Sequence, residues 1–174
     1  MSEREPHYAD ISLDQLPAKA RHPVHVVLDN IRSAFNVGSI FRTSDAALVE
    51  KIHLCGMSAY PPNPKLAKTA LGATDYVPWE YAPRAVDVVR RLQSEGVTVV
   101  AVEVTDAAVS HLEYDWPEPV AIVFGHEVRG ILPAVLDACD AHVQIPMLGY
   151  KNTVNVATAF GVVLYEILRK WGRV

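Results

Sequence analysis

The sequence has very little of what builds a disulfide scaffold or a metal cluster. Among 174 residues there are two cysteines, Cys55 and Cys139, far apart in the chain. This excludes a disulfide framework and any paired-cysteine ligand spacing. The seven histidines form no HExxH pattern, so no metal is expected. No apolar run reaches the roughly 18 to 20 residues that a membrane span requires. The start, MSEREPHYAD, is polar and acidic, without the basic-then-apolar order of a secretory signal. Charge of one sign is also missing: 16 basic and 20 acidic residues leave a net −4. That argues against a generally basic nucleic-acid coat and leaves room for a local basic patch. The sequence contains no GxGxxG fingerprint, no GxxxxGK phosphate loop and no GxSxG elbow, which weakens dinucleotide, nucleoside-triphosphate and serine-hydrolase readings. Internal repeats and low-complexity tracts are absent as well. The expectation is a soluble, cytoplasmic α/β domain.

Half of the residues are hydrophobic and 21% are charged, enough apolar surface for one ordinary core. Residues 1–23 read as an arm, with a short helix suggested by Leu13, Leu16 and Ala20, and residues 24–174 as the main domain. VHVVLD (24–29), KIHLCG (51–56), VTVVAVE (97–103), VAIVF (120–124) and AHVQIP (141–146) read as strands. Helices are expected over Val37–Leu48 with Asn36 as N-cap, near Lys65–Leu71, from Pro83 to a stop at Gly96, over Leu132–Cys139, and from 153–155 to Trp171. The proline-rich stretch 60–81 reads as a surface excursion. This alternation predicts a mostly parallel sheet flanked by helices. The last helix is apolar around much of its circumference, through Val156, Phe160, Val163, Leu164, Ile167 and Leu168, with Ala157 and Val162 beside them. Burial by the sheet on one side and by a second copy of the chain on the other accounts for that width, the alternative being unusually complete burial inside one chain, and a homodimer is expected.

Three glycine-bearing loops follow apolar strands: NIRSAFNVGS, FGHEVRG and MLGYKNTVN. In an open α/β fold, ligands gather beyond the C-terminal strand ends, where these loops would converge. The segments Asn30–Ala46, Ile122–Ile131 and Ile145–Glu166 resemble the three motifs of the SpoU or TrmH-type RNA methyltransferases of the SPOUT superfamily. The resemblance runs from Val24 onward, with the motifs in the family's order.

That resemblance implies a SPOUT-type fold with a deep C-terminal trefoil knot, a rare exception to ordinary topology. It also implies S-adenosylmethionine as cofactor and an RNA substrate methylated on a ribose 2′-hydroxyl, with tRNA favoured over rRNA. The alternatives are a base methyltransferase of the same fold and a noncatalytic RNA-binding homologue. Carried over residue by residue, Asn36, Arg42, Glu127 and Asn155 take the catalytic positions. Thr153 stands where serine is usual, and His126 where a small polar residue is common. Arg42 is expected to stabilise a developing alkoxide or to clamp a phosphate, because a guanidinium stays protonated. Its alternative role is a surface pair with Asp45. Glu127 is expected to hold Arg42 or Asn36. The expected cofactor-binding set is Glu103, Phe124, Gly125, Gly130, Ile145, Met147, Gly149, Thr153 and Val154. Arg32, Lys65, Lys68, Arg129 and Lys151 are candidates for RNA contact, interleaved with Tyr60, Trp79, Tyr81 and Tyr150.

Overall fold

A computed structural model describes residues 20–174. The arm expected at the N-terminus, apart from its last few residues, lies outside them. Seven strands form one sheet in the order β3-β2-β1-β6-β4-β7-β5. They are β1 (His22–Asp29), β2 (Val49–Cys55), β3 (Trp79–Ala82), β4 (Thr98–Val102), β5 (Val109–Ser110), β6 (Val120–Gly125) and β7 (Ala141–Gln144). Every neighbouring pair is parallel. β1, β4 and β6 sit in the middle, and this is why they read as unbroken apolar runs: both of their faces are covered.

The helices are α1 (Ala34–Ala46), α2 (Pro64–Ala70), α3 (Ala85–Ser94), α4 (Pro133–Leu136) and α5 (Val156–Lys170). Alternation along β1 divides the core in two. Val24, Val26 and Leu28 point into a cluster with Ile40, Phe41, Phe160 and Leu164, on the side of α1, α2 and α5. Val27 points to the other side, with Val89 and Leu92 of α3 and Val135 of α4. Phe124 closes the first cluster edge-on against Phe160, with ring centroids 5.8 Å apart.

Two expectations change. The stretch 60–81 is not an excursion: Leu66, Ala70, Ala73 and Val77 are buried, and the stretch contributes α2, a 3-10 turn and the edge strand β3. Asn63 caps α2, accepting from Lys65 N at 3.0 Å and Leu66 N at 3.2 Å, with Pro64 at the first turn. The cap of α1 is Ser33, which accepts from Asn36 N at 3.3 Å, so the helix starts earlier than expected and Asn36 is not its cap. On α5, Phe160, Val163, Leu164 and Ile167 are fully buried within this one chain, while Val162 and Tyr165 are both 43% exposed.

Candidate active site

The C-terminal ends of β1, β6 and β7 deliver three connections to one end of the sheet. The first to consider is the turn after β6. His126 N donates to Gly130 O at 3.0 Å and Gly130 N to His126 O at 2.8 Å, which closes the turn on itself. A Cβ at Gly125 would lie 2.2 Å from the backbone N of Ile131, and one at Gly130, where φ is 69°, 2.4 Å from Glu103 Oε2. No side chain fits at either place without moving backbone or carboxylate. The imidazole of His126 is buried, and its Nδ1 accepts from Val128 N at 3.0 Å. It satisfies a backbone donor inside the turn, a job open to the small polar residue usual there. Asp29 ties the turn's exit to β1: its buried carboxylate accepts from Leu132 N at 3.0 Å and from the Asn30 amide at 2.8 Å. Burial pushes the Asp29 carboxyl above the usual range.

Glu127 links this turn to the next connection. Its Oε2 accepts from Arg32 N at 2.8 Å, and its Oε1 from Ser33 N at 3.0 Å and the Asn36 amide at 2.8 Å. Burial alone would raise its carboxyl pKa, but these backbone and amide donors outweigh it and hold the pKa below the ordinary value. Asn36 Oδ1 in turn accepts from Asn155 Nδ2 at 3.1 Å. Asn155 Oδ1 accepts from Ala157 N at 2.9 Å and Thr158 N at 3.4 Å, capping α5. One file of hydrogen bonds therefore joins all three motif segments. Asn155 is cap and site residue at once. Of the two partners expected for Glu127, the structure selects Asn36 over Arg42.

Two cavities flank this file. An open cleft of about 560 Å³ is lined by Arg32, Ser33, Phe35, Asn36, Asn63, Lys65 and Glu127, with Ala34 and Ala59. A narrow pocket of about 90 Å³ is lined by Val102, Glu103, Val104, Gln144, Ile145, Met147, Asn152, Thr153, Val154 and Ala159. The two meet at the Asn36–Asn155 hydrogen bond, since Asn155 directly follows Val154 in the pocket wall and Asn36 lines the cleft.

Five of the nine residues expected around a cofactor line the narrow pocket: Glu103, Ile145, Met147, Thr153 and Val154. Gly125 and Gly130 shape the adjoining turn without lining it. Phe124 packs edge-on against Phe160 in the core and does not line the pocket. Gly149 sits in open space, where a Cβ would meet nothing within 4 Å, and it too falls outside the lining. Of the RNA candidates, Arg32 and Lys65 line the cleft. Lys68 follows one turn later on α2, and Arg129 and Lys151 are exposed on their loops, away from both linings. Arg42 is exposed on α1 and makes no hydrogen bond or ion pair among the described residues, so its alternative pairing with Asp45 does not form. Tyr60 and Tyr81 meet at a tilt with ring centroids 4.7 Å apart, Tyr150 is fully exposed, and Trp79 packs against the core. Sequence reasoning missed Asn63, Gln144 and Asn152. The Asn63-Pro64 step was a legible helix start; the other two carry no local signal.

Residues 23–165 match the model of the SpoU rRNA methylase family. The chain belongs to this family. A protein of Staphylococcus epidermidis assigned to the TrmH family of tRNA/rRNA methyltransferases is 29% identical over 92% of this chain and 64% of its own length. The chain spans between 58% and 66% of the curated relatives it matches first. Among solved structures, the SpoU methyltransferase AviRb of Streptomyces viridochromogenes, in complex with the cofactor AdoMet, superposes with a TM-score of 0.79 at 26% identity. That match covers 92% of this chain and 64% of AviRb. A chain described in connection with 2-OH methylation of C/U34 on tRNA superposes with a TM-score of 0.78 at 28% identity, over 87% of this chain and 97% of its own. The SPOUT fold expected from the motifs is thus found in the strand order and in these neighbours.

Proposed function

We propose that this SpoU-family chain transfers a methyl group from S-adenosylmethionine to the 2′-hydroxyl of an RNA ribose, with tRNA the favoured substrate over rRNA. The observation that carries the reading is the junction of two unlike cavities at Asn36–Asn155. The narrow pocket combines apolar walls from Ile145, Met147 and Val154 with the polar groups of Gln144, Asn152 and Thr153. That mixture suits a nucleoside bearing an aliphatic sulfur chain, and AviRb, of the same fold, binds AdoMet. The cleft on the other side is wider, carries Arg32 and Lys65, and suits a phosphodiester strand.

When bound, S-adenosylmethionine supplies an electrophilic methyl on a sulfonium leaving group, so the protein need only align a hydroxyl and assist loss of its proton. Glu127 fixes Asn36 and two backbone N–H groups at the cleft floor. Asn36 and Asn155 hold the edge between cleft and pocket, where hydroxyl and methyl must meet. Arg42 supplies positive charge for the developing alkoxide or the adjacent phosphate. Its lack of a polar partner among the described residues leaves the guanidinium available.

Dimerisation belongs to the same proposal. Val162 and Tyr165 on α5 are partly exposed, and Gly161, next to Val162, faces Thr43 of α1, the neighbour of Arg42. A second copy seated there would cover this strip and bring its own basic side chains towards the cleft. The threaded C-terminal segment implied by the resemblance is likewise part of the proposal, supported by the return of α5 from β7 to the sheet centre at Phe124. The test compares the wild type with Arg42→Ala. Methyl transfer to unmodified tRNA should fall at least about a hundredfold while binding of S-adenosylmethionine stays within twofold. Equal loss of binding and transfer would remove Arg42 from its assigned role, and absence of transfer by the wild type to both RNA classes would defeat the reading.

A further inference from the structure

Among the described residues lining the narrow pocket, Glu103 is the single ionisable side chain. Its position is built rather than incidental. Glu103 directly follows β4, and its backbone N donates to Val143 O of β7 at 3.0 Å. Its Oε1 accepts from Val104 N at 3.0 Å and its Oε2 from Ile131 N at 3.1 Å. Gly130 gives it room, since a Cβ there would collide with Oε2. The carboxylate is thus held at the pocket wall by its own strand end and by the turn after β6, and each oxygen retains a lone pair beyond the backbone bond it already accepts.

A fixed negative charge in an otherwise uncharged wall discriminates ligands by charge, and more strongly than it would in bulk water. Methyl transfer to a hydroxyl changes the charge of what the pocket holds. The carbon–sulfur bond to the methyl breaks with its electron pair going to sulfur, the ribose oxygen bonds the methyl and releases a proton, and the sulfonium cation becomes a neutral thioether. We infer that Glu103 is a charge-sensing specificity residue, which favours the cationic methyl donor over its spent neutral product and so promotes exchange of one for the other. This inference rests on the proposed use of S-adenosylmethionine and gives Glu103, expected among the cofactor-binding residues, the specific role of telling donor from product by charge.

The test is equilibrium binding by calorimetry with three probes that share the nucleoside and amino-acid ends. S-adenosylmethionine carries a sulfonium, S-adenosylhomocysteine a neutral thioether, and sinefungin an ammonium-bearing carbon in place of the sulfonium. In Glu103→Gln the preference for each cationic probe over the thioether should shrink by about tenfold, the effect of one unit charge several ångströms away in a partly solvated pocket. In Glu103→Asp, which keeps the charge, most of the preference should remain. A purely structural role, through the bond to Ile131 N, would weaken all three probes alike and leave the ratios unchanged. That result overturns the inference, as does a ratio that moves equally in the Asp and Gln variants. If the wild type binds none of the three probes, it is the proposed cofactor that fails, and this role falls with it.

Discussion

The turn 125–131 and the loop 145–154 form opposite sides of the site, and they are built in opposite ways. The turn is pinned at every step: to itself through His126 and Gly130, to β1 through Asp29, to the strand end at Glu103, and to the α1 entrance through Glu127. The loop makes no hydrogen bond among the described residues, and Leu148 and Tyr150 are 99% and 100% exposed. The turn holds its groups through its own hydrogen bonds, while the loop leaves its backbone groups uncommitted to protein partners.

The sharpest way to break this comparison is to add one methyl group on each side. Gly125→Ala places a Cβ against the backbone of Ile131 and should destabilise the domain by about 3 kcal/mol or more in urea unfolding. A cost under about 1 kcal/mol would mean that the turn yields and is not pinned.

Acid tests whether the turn or the scaffold beneath it is the weaker part. On β2, His53 lies between His25 and Glu80, with its Nδ1 2.8 Å from Glu80 and its Nε2 3.1 Å from His25. Burial pushes the His53 imidazole down to about 4, against the pull of Glu80, and burial lowers His25 as well. The unfolded imidazole titrates near 6.5, so between about 6.5 and 4 the unfolded state holds a proton that the folded state does not. Stability should therefore fall as pH drops through that window, by a total on the order of 3 kcal/mol for His53, and then level with respect to this group. His53→Phe should flatten most of that slope. Glu127, held below the ordinary 4.5, loses its contribution only as pH falls below about that value, so a loss of stability confined to that lower range and removed by Glu127→Gln would make the turn the acid-sensitive part and reverse the comparison.

A smaller effect is expected where the file of hydrogen bonds crosses to the loop. Asn155→Ala removes the α5 cap and the bond to Asn36, and should cost about 1 kcal/mol of stability while lowering methyl transfer far more than that cost implies. Smallest of all is Gly149→Ala, which meets nothing within 4 Å and should stay within about 0.5 kcal/mol of the wild type.

The parts legible in the sequence were those in which a local pattern carries the physics. β1, β4 and β6 announced themselves as apolar runs because burial on both faces removes any alternation. β3 did not, since Trp79–Ala82 is a four-residue edge strand with Glu80 in it and prolines on both flanks. The residue pattern places the start of α1 at Asn36, which is itself a good capping residue, whereas the cap is Ser33, three residues earlier. Glu127 and Asn36 are 91 residues apart and Asn155 is 119 from Asn36, distances no periodicity bridges; the motif resemblance brought them together, and the structure supplied their order. The cap at Asn63 was legible from its Asn-Pro step, but it lies within a proline-rich stretch that otherwise reads as loop.

The measurement that bears most directly on the central claim is the identity of the methylated nucleoside. The protein would be incubated with labelled S-adenosylmethionine and unmodified tRNA or rRNA, and the RNA digested to nucleosides for mass spectrometry. The account predicts a 2′-O-methylnucleoside, recovered from tRNA. A methyl group on a base would contradict the ribose assignment while leaving the fold and the cofactor pocket in place.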